Sequence, residues 1–158
     1  MTTPDADARL DALEARVAAL ERDAAPEPAA PRGEAGEIGY HGTTRLVPGS
    51  GPITWTIGYD AGAALDLPAG PVAEVLAALG HTVRLALVRR LLVGPAGTGE
   101  LVEAAELSST GQLYHHLRTL TAARIVEQDG RTYRIPPTGV VPVLVAVVAA
   151  ADLAGALR

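Results

Sequence analysis

The segment SSTGQLYHHLRTLTAAR, residues 108–124, decides the fold of this 158-residue chain. Ser109 and Gln112 have the spacing of a capping box, in which the Ser hydroxyl accepts from one free backbone N–H and the Gln side chain returns the bond. Leu113, Leu117 and Leu120 follow at positions that share one helical face, which must be buried. The segment therefore predicts a helix over residues 109–123 that packs through its leucines.

The opposite face of this helix is polar and is centred on Gly111, His115, Arg118 and Ala122. Hydrogen-bonding groups at the start of a helix, with an Arg further along, are typical of a recognition helix whose first turns meet base edges in the major groove. The predicted DNA-binding residues of the helix are Ser109, Thr110, Gln112, Tyr114, His115 and Arg118.

A hairpin is predicted directly after this helix. The stretch IVEQDGRTYRI, residues 125–135, contains two short β-type runs around Asp129-Gly130, a pair that predicts a type I′ turn. Arg131 at the tip and Arg134 on the returning strand are expected to contact phosphates on the duplex backbone or in a minor groove. Such contacts position a protein without reading sequence. A helix-turn-helix followed by such a hairpin is a winged helix.

Three shorter helices are predicted before the recognition helix: PVAEVLAAL (71–79), TVRLALVRRLL (82–92) and TGELVEAAE (98–106). Thr82 and Thr98 are the predicted caps of the second and third, and Glu100 stands in a first turn, where the helix dipole favours an anion. Short helices joined by tight turns are typical of a helix-turn-helix.

The N-terminal part has a different composition. Residues 1–24 predict a short coiled-coil helix, with a solvated single helix as the alternative; its seam is Leu10, Leu13, Val17 and Leu20. Residues 25–37 predict a flexible linker rich in Pro and Ala. Two β-type runs within residues 38–67 predict a hairpin. We expect that hairpin to pack on the following domain or on a partner subunit; a ligand pocket floored by Trp55 is the alternative.

The span from Val72 to Leu153 resembles the ArsR-like winged-helix transcriptional regulators. The resemblance rests on ALGHTVRLALVRRLL, on the HHL of the predicted recognition helix, and on the pattern L-x-x-A-x-IV before the wing. It implies a homodimer that binds operator DNA, with the first and last helices at the dimer interface. It also implies a small-molecule or protein effector. The predicted fold class is mainly α (α+β), with residues 68–158 as a winged-helix DNA-binding and dimerisation domain.

The chain departs from that family in its metal ligands. The family's sensors bind metal through Cys or through Asp/His clusters, whereas this chain has no Cys and its last helix offers only Asp152. We therefore expect no metal site and no cofactor. His115 and His116 are adjacent and point apart, so His116 is predicted to be packed and hydrogen-bonded beside the leucines. Arg124 stands where relatives have a Gly helix stop, which predicts a terminus that is either less tightly turned or slightly strained.

The last predicted helix begins near Thr138 or Pro142 and runs through VVPVLVAVVAAADLAGAL. No charged residue stands between Arg134 and Asp152, which leaves an uncharged stretch of 17 residues, 135–151. That length is at or below what a membrane span needs, so no membrane is expected. A helix that is apolar all round is instead buried on several sides. We expect it to pack against its symmetry mate and residues 71–79, with Val143, Val147 and Leu153 at the dimer interface.

Charge bears on function because phosphate neutralisation supplies most of the non-specific affinity for DNA. Residues 70–158 hold eight Arg and seven acidic residues, whereas residues 1–69 hold five Arg and eleven acidic residues. We therefore expect weak binding to random DNA.

Two functions remain open. The polar helix face favours a homodimeric regulator that reads a pseudo-palindromic double-stranded operator. The acidity favours a winged helix that serves protein interaction or self-assembly. An enzyme is not expected, because no nucleophilic triad, phosphate loop or carboxylate pair stands out. No signal peptide is recognised, so a cytoplasmic, nucleoid-associated bacterial protein is expected.

Overall fold

The computed structural model describes residue 9, residues 12–17 and residues 35–157. Helix α1 covers residues 12–17. The other helices are α2 (Ala61–Leu65), α3 (Ala69–Leu79), α4 (Thr82–Leu92), α5 (Thr98–Ala104), α6 (Thr110–Ala122) and α7 (Pro137–Leu153). The strands are β1 (Glu37–Thr44), β2 (Ile53–Asp60), β3 (Ala96–Gly97), β4 (Glu127–Asp129) and β5 (Thr132–Arg134).

The described residues divide into two compact units. One unit holds the described residues up to Gly39 together with Ile57–Leu65, and the other holds Tyr40–Thr56 and everything from Asp66 onward. Helices α3 to α7 and strands β3 to β5 all lie in the second unit. In this unit a helix-turn-helix, α5 and α6, is followed by a β-hairpin, so the predicted winged helix-turn-helix fold is confirmed.

The core of the second unit is built from one face of each helix. Its fully buried side chains include Leu87 and Val88 of α4, Leu101 of α5, and Leu113 and Leu120 of α6. Burial of a Leu or Val side chain contributes about 1.5–3 kcal/mol, so these residues fix the positions of the three helices. The leucine face predicted for residues 109–123 is therefore the face by which α6 is held.

Two predicted helix caps are wrong by one residue. Helix α4 begins at Thr82, and its cap is His81, whose Nδ1 accepts a hydrogen bond of 3.2 Å from the Val83 N–H. Helix α5 begins at Thr98, and the carboxylate of Glu100 accepts from the Gly97 N–H at 2.9 Å. An imidazole nitrogen or a carboxylate that reaches back satisfies a free helix N–H as well as a Thr hydroxyl does.

The wing is a small three-stranded sheet in the order β3-β5-β4. Asp129 pairs with Thr132, so Gly130 and Arg131 form the two-residue loop. Gly130 has φ of 60°, whereas neither Asp129 nor Arg131 has a positive φ. The predicted type I′ turn with Asp129 at its centre is therefore wrong, because a positive φ at the first loop residue alone is the type II′ pattern.

Two non-glycine residues adopt the left-handed region at the ends of the central helices. Glu106 has φ of 51° in the turn between α5 and α6, and Arg124 has φ of 57° just after α6. The Arg124 N–H donates to the Thr121 carbonyl, and the Ile125 N–H donates to the Leu120 carbonyl, which closes the helix end. The strain predicted at Arg124 is confirmed by its positive φ.

Strands β1 and β2 form the predicted hairpin as a two-stranded sheet. Trp55 packs over Gly42, where a Cβ atom would stand 2.7 Å from the indole Cζ2, so a side chain at this position would force the indole to move. The Thr43 and Thr54 hydroxyls are hydrogen-bonded at 3.1 Å. Of the predicted coiled-coil seam, Leu13 and Val17 are described and exposed. Leu10, Leu20 and the linker segment 25–34 lie outside the described residues.

Helix α7 starts at Pro137, next to Thr138, the earlier of the two predicted starts, and continues through Pro142 to Leu153. Its N-terminal half is packed, because Val141 and Val143 are buried. Among the described helices, no single one is long and apolar enough to cross a membrane. Helices α3 and α4 meet that criterion only when taken together, and they are bent by 88° at their junction.

Candidate nucleic-acid interface

Helix α6 is capped by Ser109, whose hydroxyl accepts from the Gln112 N–H at 3.4 Å. The other half of the predicted capping box is not formed. The Gln112 carbonyl oxygen instead accepts from the Ser108 hydroxyl at 3.1 Å. This bond leaves the two amide N–H donors of Gln112 at the outer surface of the helix start, where a polar partner can use them.

The outer face of α6 is exposed as predicted. Thr110, Gln112, His115 and Arg118 are exposed, and half of the Tyr114 surface is exposed. In the described part of the chain, Arg118 makes no ion pair. A guanidinium without a carboxylate partner is available for bidentate contact with a phosphate or a guanine edge. The five residues form one polar strip along the helix.

The two arginines of the wing differ in their surroundings. Arg131 is exposed at the tip of the loop, as predicted. Arg134 donates from Nε to Glu127 at 2.8 Å and lies 3.4 Å from Asp129. The register of the sheet places Glu127 directly opposite Arg134, so the two charges pair within the wing. Arg134 is thus paired within the wing in the chain without DNA, and its predicted contact with phosphate stays a prediction.

A shallow groove separates α6 from the wing. Its lining includes Tyr114, Arg118 and Thr121 of the helix and Gln128 and Tyr133 of the wing. Burial raises the pKa of the Tyr133 hydroxyl, and the nearby Tyr114 raises it further. Thr121 and Gln128 belong to this surface and were not among the predicted site residues. Gln128 is the register partner of the buried Tyr133, a pairing that local sequence does not give.

The predicted environment of His116 is only half confirmed. The side chain is partly buried beside the leucine face, but its Nδ1 is buried without a hydrogen-bond partner, so the predicted hydrogen bond is wrong at that atom. Its ring centre lies 4.9 Å from that of His81 and 5.5 Å from that of His115. Desolvation lowers the pKa of His116, and the positive charges available on His81, His115 and Arg84 lower it further.

Glu100 anchors the helix that precedes α6. Its carboxylate lies 2.6 Å from the Arg90 guanidinium. The hydrogen bond from the Gly97 N–H and the contact with Arg90 hold the pKa of Glu100 below its usual range. The negative charge of Glu100 is therefore balanced by Arg90, whereas Glu103 and Glu106 remain exposed on the same helix and its turn. Among residues 9, 12–17 and 35–157, no three His, Asp or Glu side chains converge on a metal-sized site.

The residues predicted for the dimer interface have different environments. Val143 is buried in the core of its own protomer and is not available to a partner. Val147 is partly buried, and Leu153 is 92% exposed. Val72 of α3 and Val148 of α7 are also exposed. The apolar surface left open therefore comes from α3 and from the C-terminal half of α7.

No model of a known protein family matches the chain, and no curated protein sequence matches it. Several solved structures are similar to the chain. The homodimeric winged helix-turn-helix DNA-binding domain of Mb0332 from Mycobacterium bovis is described as a possible ArsR-family transcriptional regulator. It is 28% identical, with a TM-score of 0.46, over 60% of this chain and 90% of that one.

The transcriptional repressor BigR from Xylella fastidiosa is 27% identical, with a TM-score of 0.47, over 56% of this chain and 94% of that one. NolR from Sinorhizobium fredii is 23% identical, with a TM-score of 0.45, over 60% and 93% of the two chains. Of these three similar structures, that of Mb0332 is the one described as a possible member of the ArsR family.

Proposed function

We propose that this protein is a homodimeric transcriptional regulator that binds operator DNA, with α6 in the major groove and the wing on the duplex backbone. The observation that carries the proposal is the two-sided character of α6. Leu113, Leu117 and Leu120 are buried, while the polar strip on the opposite face is open to a partner. A helix held by one face and hydrogen-bonding on the other matches the geometry of a recognition helix.

The start of α6 supplies the groups that would read bases. Thr110 offers a hydroxyl, Gln112 offers its free amide N–H groups, and His115 stands one turn later on the same face. Gln donates to and accepts from adenine, and hydroxyls contact several bases. We expect these three side chains to determine which sequence is bound rather than how tightly DNA in general is held.

Arg118 and Arg131 supply the charge in this proposal. Both are exposed and have no carboxylate within ion-pair distance in the described residues. Arg134 positions the wing by pairing with Glu127 and Asp129 instead of contacting DNA. Because so few free cations face the duplex, we expect weak binding to random DNA and a dependence on base contacts for affinity.

Dimerisation is proposed through exposed apolar residues of the first and last core helices. Val72, Val148 and Leu153 have 41%, 48% and 92% of their surface exposed in the single chain. Covering them with a second copy would remove apolar surface from water. A two-fold dimer would present two copies of α6 to half-sites about 34–36 Å apart, which predicts a pseudo-palindromic operator.

The test is selection of sheared genomic DNA by the purified protein at two salt concentrations, with its mass measured in parallel. We expect a few sites with dyad symmetry to be enriched, and their recovery to fall as salt rises. A well-folded dimer that enriches no DNA at low salt would contradict the proposal. Such a result would favour the alternative, a winged helix that serves protein interaction or self-assembly, for which the exposed apolar residues of α7 are the supporting observation.

A further inference from the structure

Two adjacent serines at the start of α6 hold Gln112 by different groups. The Ser109 hydroxyl accepts from the backbone N–H of Gln112 and caps the helix. The Ser108 hydroxyl donates to the side-chain Oε1 of the same glutamine at 3.1 Å. The backbone and the side chain of Gln112 are therefore positioned separately, and the orientation of its side-chain amide depends on Ser108.

The turn between α5 and α6 determines where the Ser108 hydroxyl lies. Glu106 has a φ of 51°, and the Leu107 N–H donates to the Val102 carbonyl at 2.9 Å, which closes the end of α5. The Leu107 side chain packs against the core. Ser108 thus lies between a packed residue and the cap of α6. The fold places its hydroxyl although the residue itself is exposed.

The electrostatic field at the helix start favours the same orientation of the amide. The first turn of a helix carries free backbone N–H groups and the positive end of the helix dipole. The oxygen of an amide group is the negative end of its own dipole, so Oε1 of Gln112 is stabilised when it points toward the helix start. The hydrogen bond from Ser108 and the helix dipole therefore both turn Oε1 inward and leave the Nε2 donors facing outward.

This orientation bears on which base Gln112 contacts. A glutamine that turns its amide freely pairs with adenine, because it accepts from N6 and donates to N7. In the major groove guanine instead presents two acceptors, N7 and O6, which suit an amide that directs its donors outward. We infer that Ser108 is a specificity-determining residue, which orients Gln112 to read guanine rather than adenine. The inference rests on the proposed function and names the base class that this surface recognises.

The first test compares base preferences. The full-length parent, Gln112→Ala and Ser108→Ala each select sites from random double-stranded DNA, and the position whose preference is lost in Gln112→Ala is the one that Gln112 reads. We expect the parent to prefer guanine over adenine there by about ten-fold, and Ser108→Ala to reduce this preference to about three-fold or less. An adenine preference in the parent, an unchanged preference in Ser108→Ala, or no lost position in Gln112→Ala would overturn the inference.

Matched variants separate the hydroxyl from the shape of the turn. Ser108→Thr keeps a hydroxyl and should keep the guanine preference. Ser50→Ala removes another exposed hydroxyl, which donates to the Val47 carbonyl in the loop between β1 and β2, and should change no position. Because Ser108 is exposed, its replacement by Ala should leave the fold intact, which circular dichroism checks. A Ser108→Thr variant that loses the preference as Ser108→Ala does would contradict the role of the hydroxyl.

A second readout needs no DNA. The NMR order parameter of the Gln112 side-chain amide reports its motion on the picosecond-to-nanosecond timescale. We expect it to be lower in Ser108→Ala than in the parent and in Ser108→Thr. Equal values in the parent and Ser108→Ala would overturn the inference. A protein that selects no DNA would contradict the proposed function and the reading of guanine together, whereas selected sites in which Gln112 reads no guanine would contradict the inference alone.

Discussion

Arg124 offers the sharpest test of the backbone geometry that ends α6. Its φ of 57° lies in the left-handed region, which costs an ordinary side chain roughly 1–2 kcal/mol. Glycine avoids this cost but loses more entropy on folding, by roughly 0.5–1 kcal/mol. Arg124→Gly should therefore stabilise the protein by about 1 kcal/mol, the difference between the two terms.

Thermal unfolding followed by circular dichroism measures this gain. The matched control is Arg124→Ala, which removes the exposed charge but keeps the Cβ atom that causes the strain. We expect the Ala variant to unfold with the parent and the Gly variant to have a thermal midpoint higher by about 2–4 °C, the shift for about 1 kcal/mol in a chain of this size. Equal stability of the Gly and Ala variants would refute the assigned geometry.

The other predictions concern the packing and titration of the same domain. Leu113→Ala should destabilise the fold by roughly 3–5 kcal/mol because Leu113 is fully buried, whereas the exposed Thr121→Ala should unfold near the parent. The lowered pKa of His116 means that its neutral form stabilises the fold at pH values above its unfolded pKa of about 6.5. That contribution to stability is lost as the pH falls through the lower pKa that His116 has in the folded protein. The thermal midpoint should thus fall more between pH 7 and pH 5 in the parent than in His116→Leu; parallel profiles would refute this. The pKa of Glu100 is also lowered, so its stabilisation is present above about 4.5 and disappears at lower pH; Glu100→Gln should flatten the acid limb of the stability curve.

The sequence predicted the elements whose signal is periodic. Leu113, Leu117 and Leu120 repeat at helical spacing, and their burial makes the largest local contribution to the free energy of folding. Helix α6 and the face that it turns outward could therefore be predicted from the sequence. The two β-type runs within residues 38–67 likewise predicted β1 and β2. Repeated burial over many residues outweighs any single competing contact.

The sequence-based predictions fail where a single hydrogen bond or the register of one strand pair determines the local structure. Thr82 and Thr98 were predicted as caps, yet His81 and Glu100 provide the bonds, because such caps differ by only about 1 kcal/mol. The pairing of Arg134 with Glu127 depends on cross-strand register, which local sequence does not give. For the same reason the burial of Val143 could not be predicted, since α7 is apolar on every side and its pattern does not identify the inward face.

The most direct test of the account is the salt dependence of operator binding by the parent and by Arg118→Ala combined with Arg131→Ala. Fluorescence anisotropy gives the affinity for an operator obtained by genomic selection, and light scattering confirms that the variant stays dimeric. Because each protomer loses two free arginines, we expect an affinity loss of at least about 100-fold and a salt slope reduced by about 0.9 for each lost phosphate contact. Arg134→Ala should leave the slope unchanged. A folded, dimeric double variant that binds the operator as the parent does would contradict the assignment of α6 and the wing to DNA.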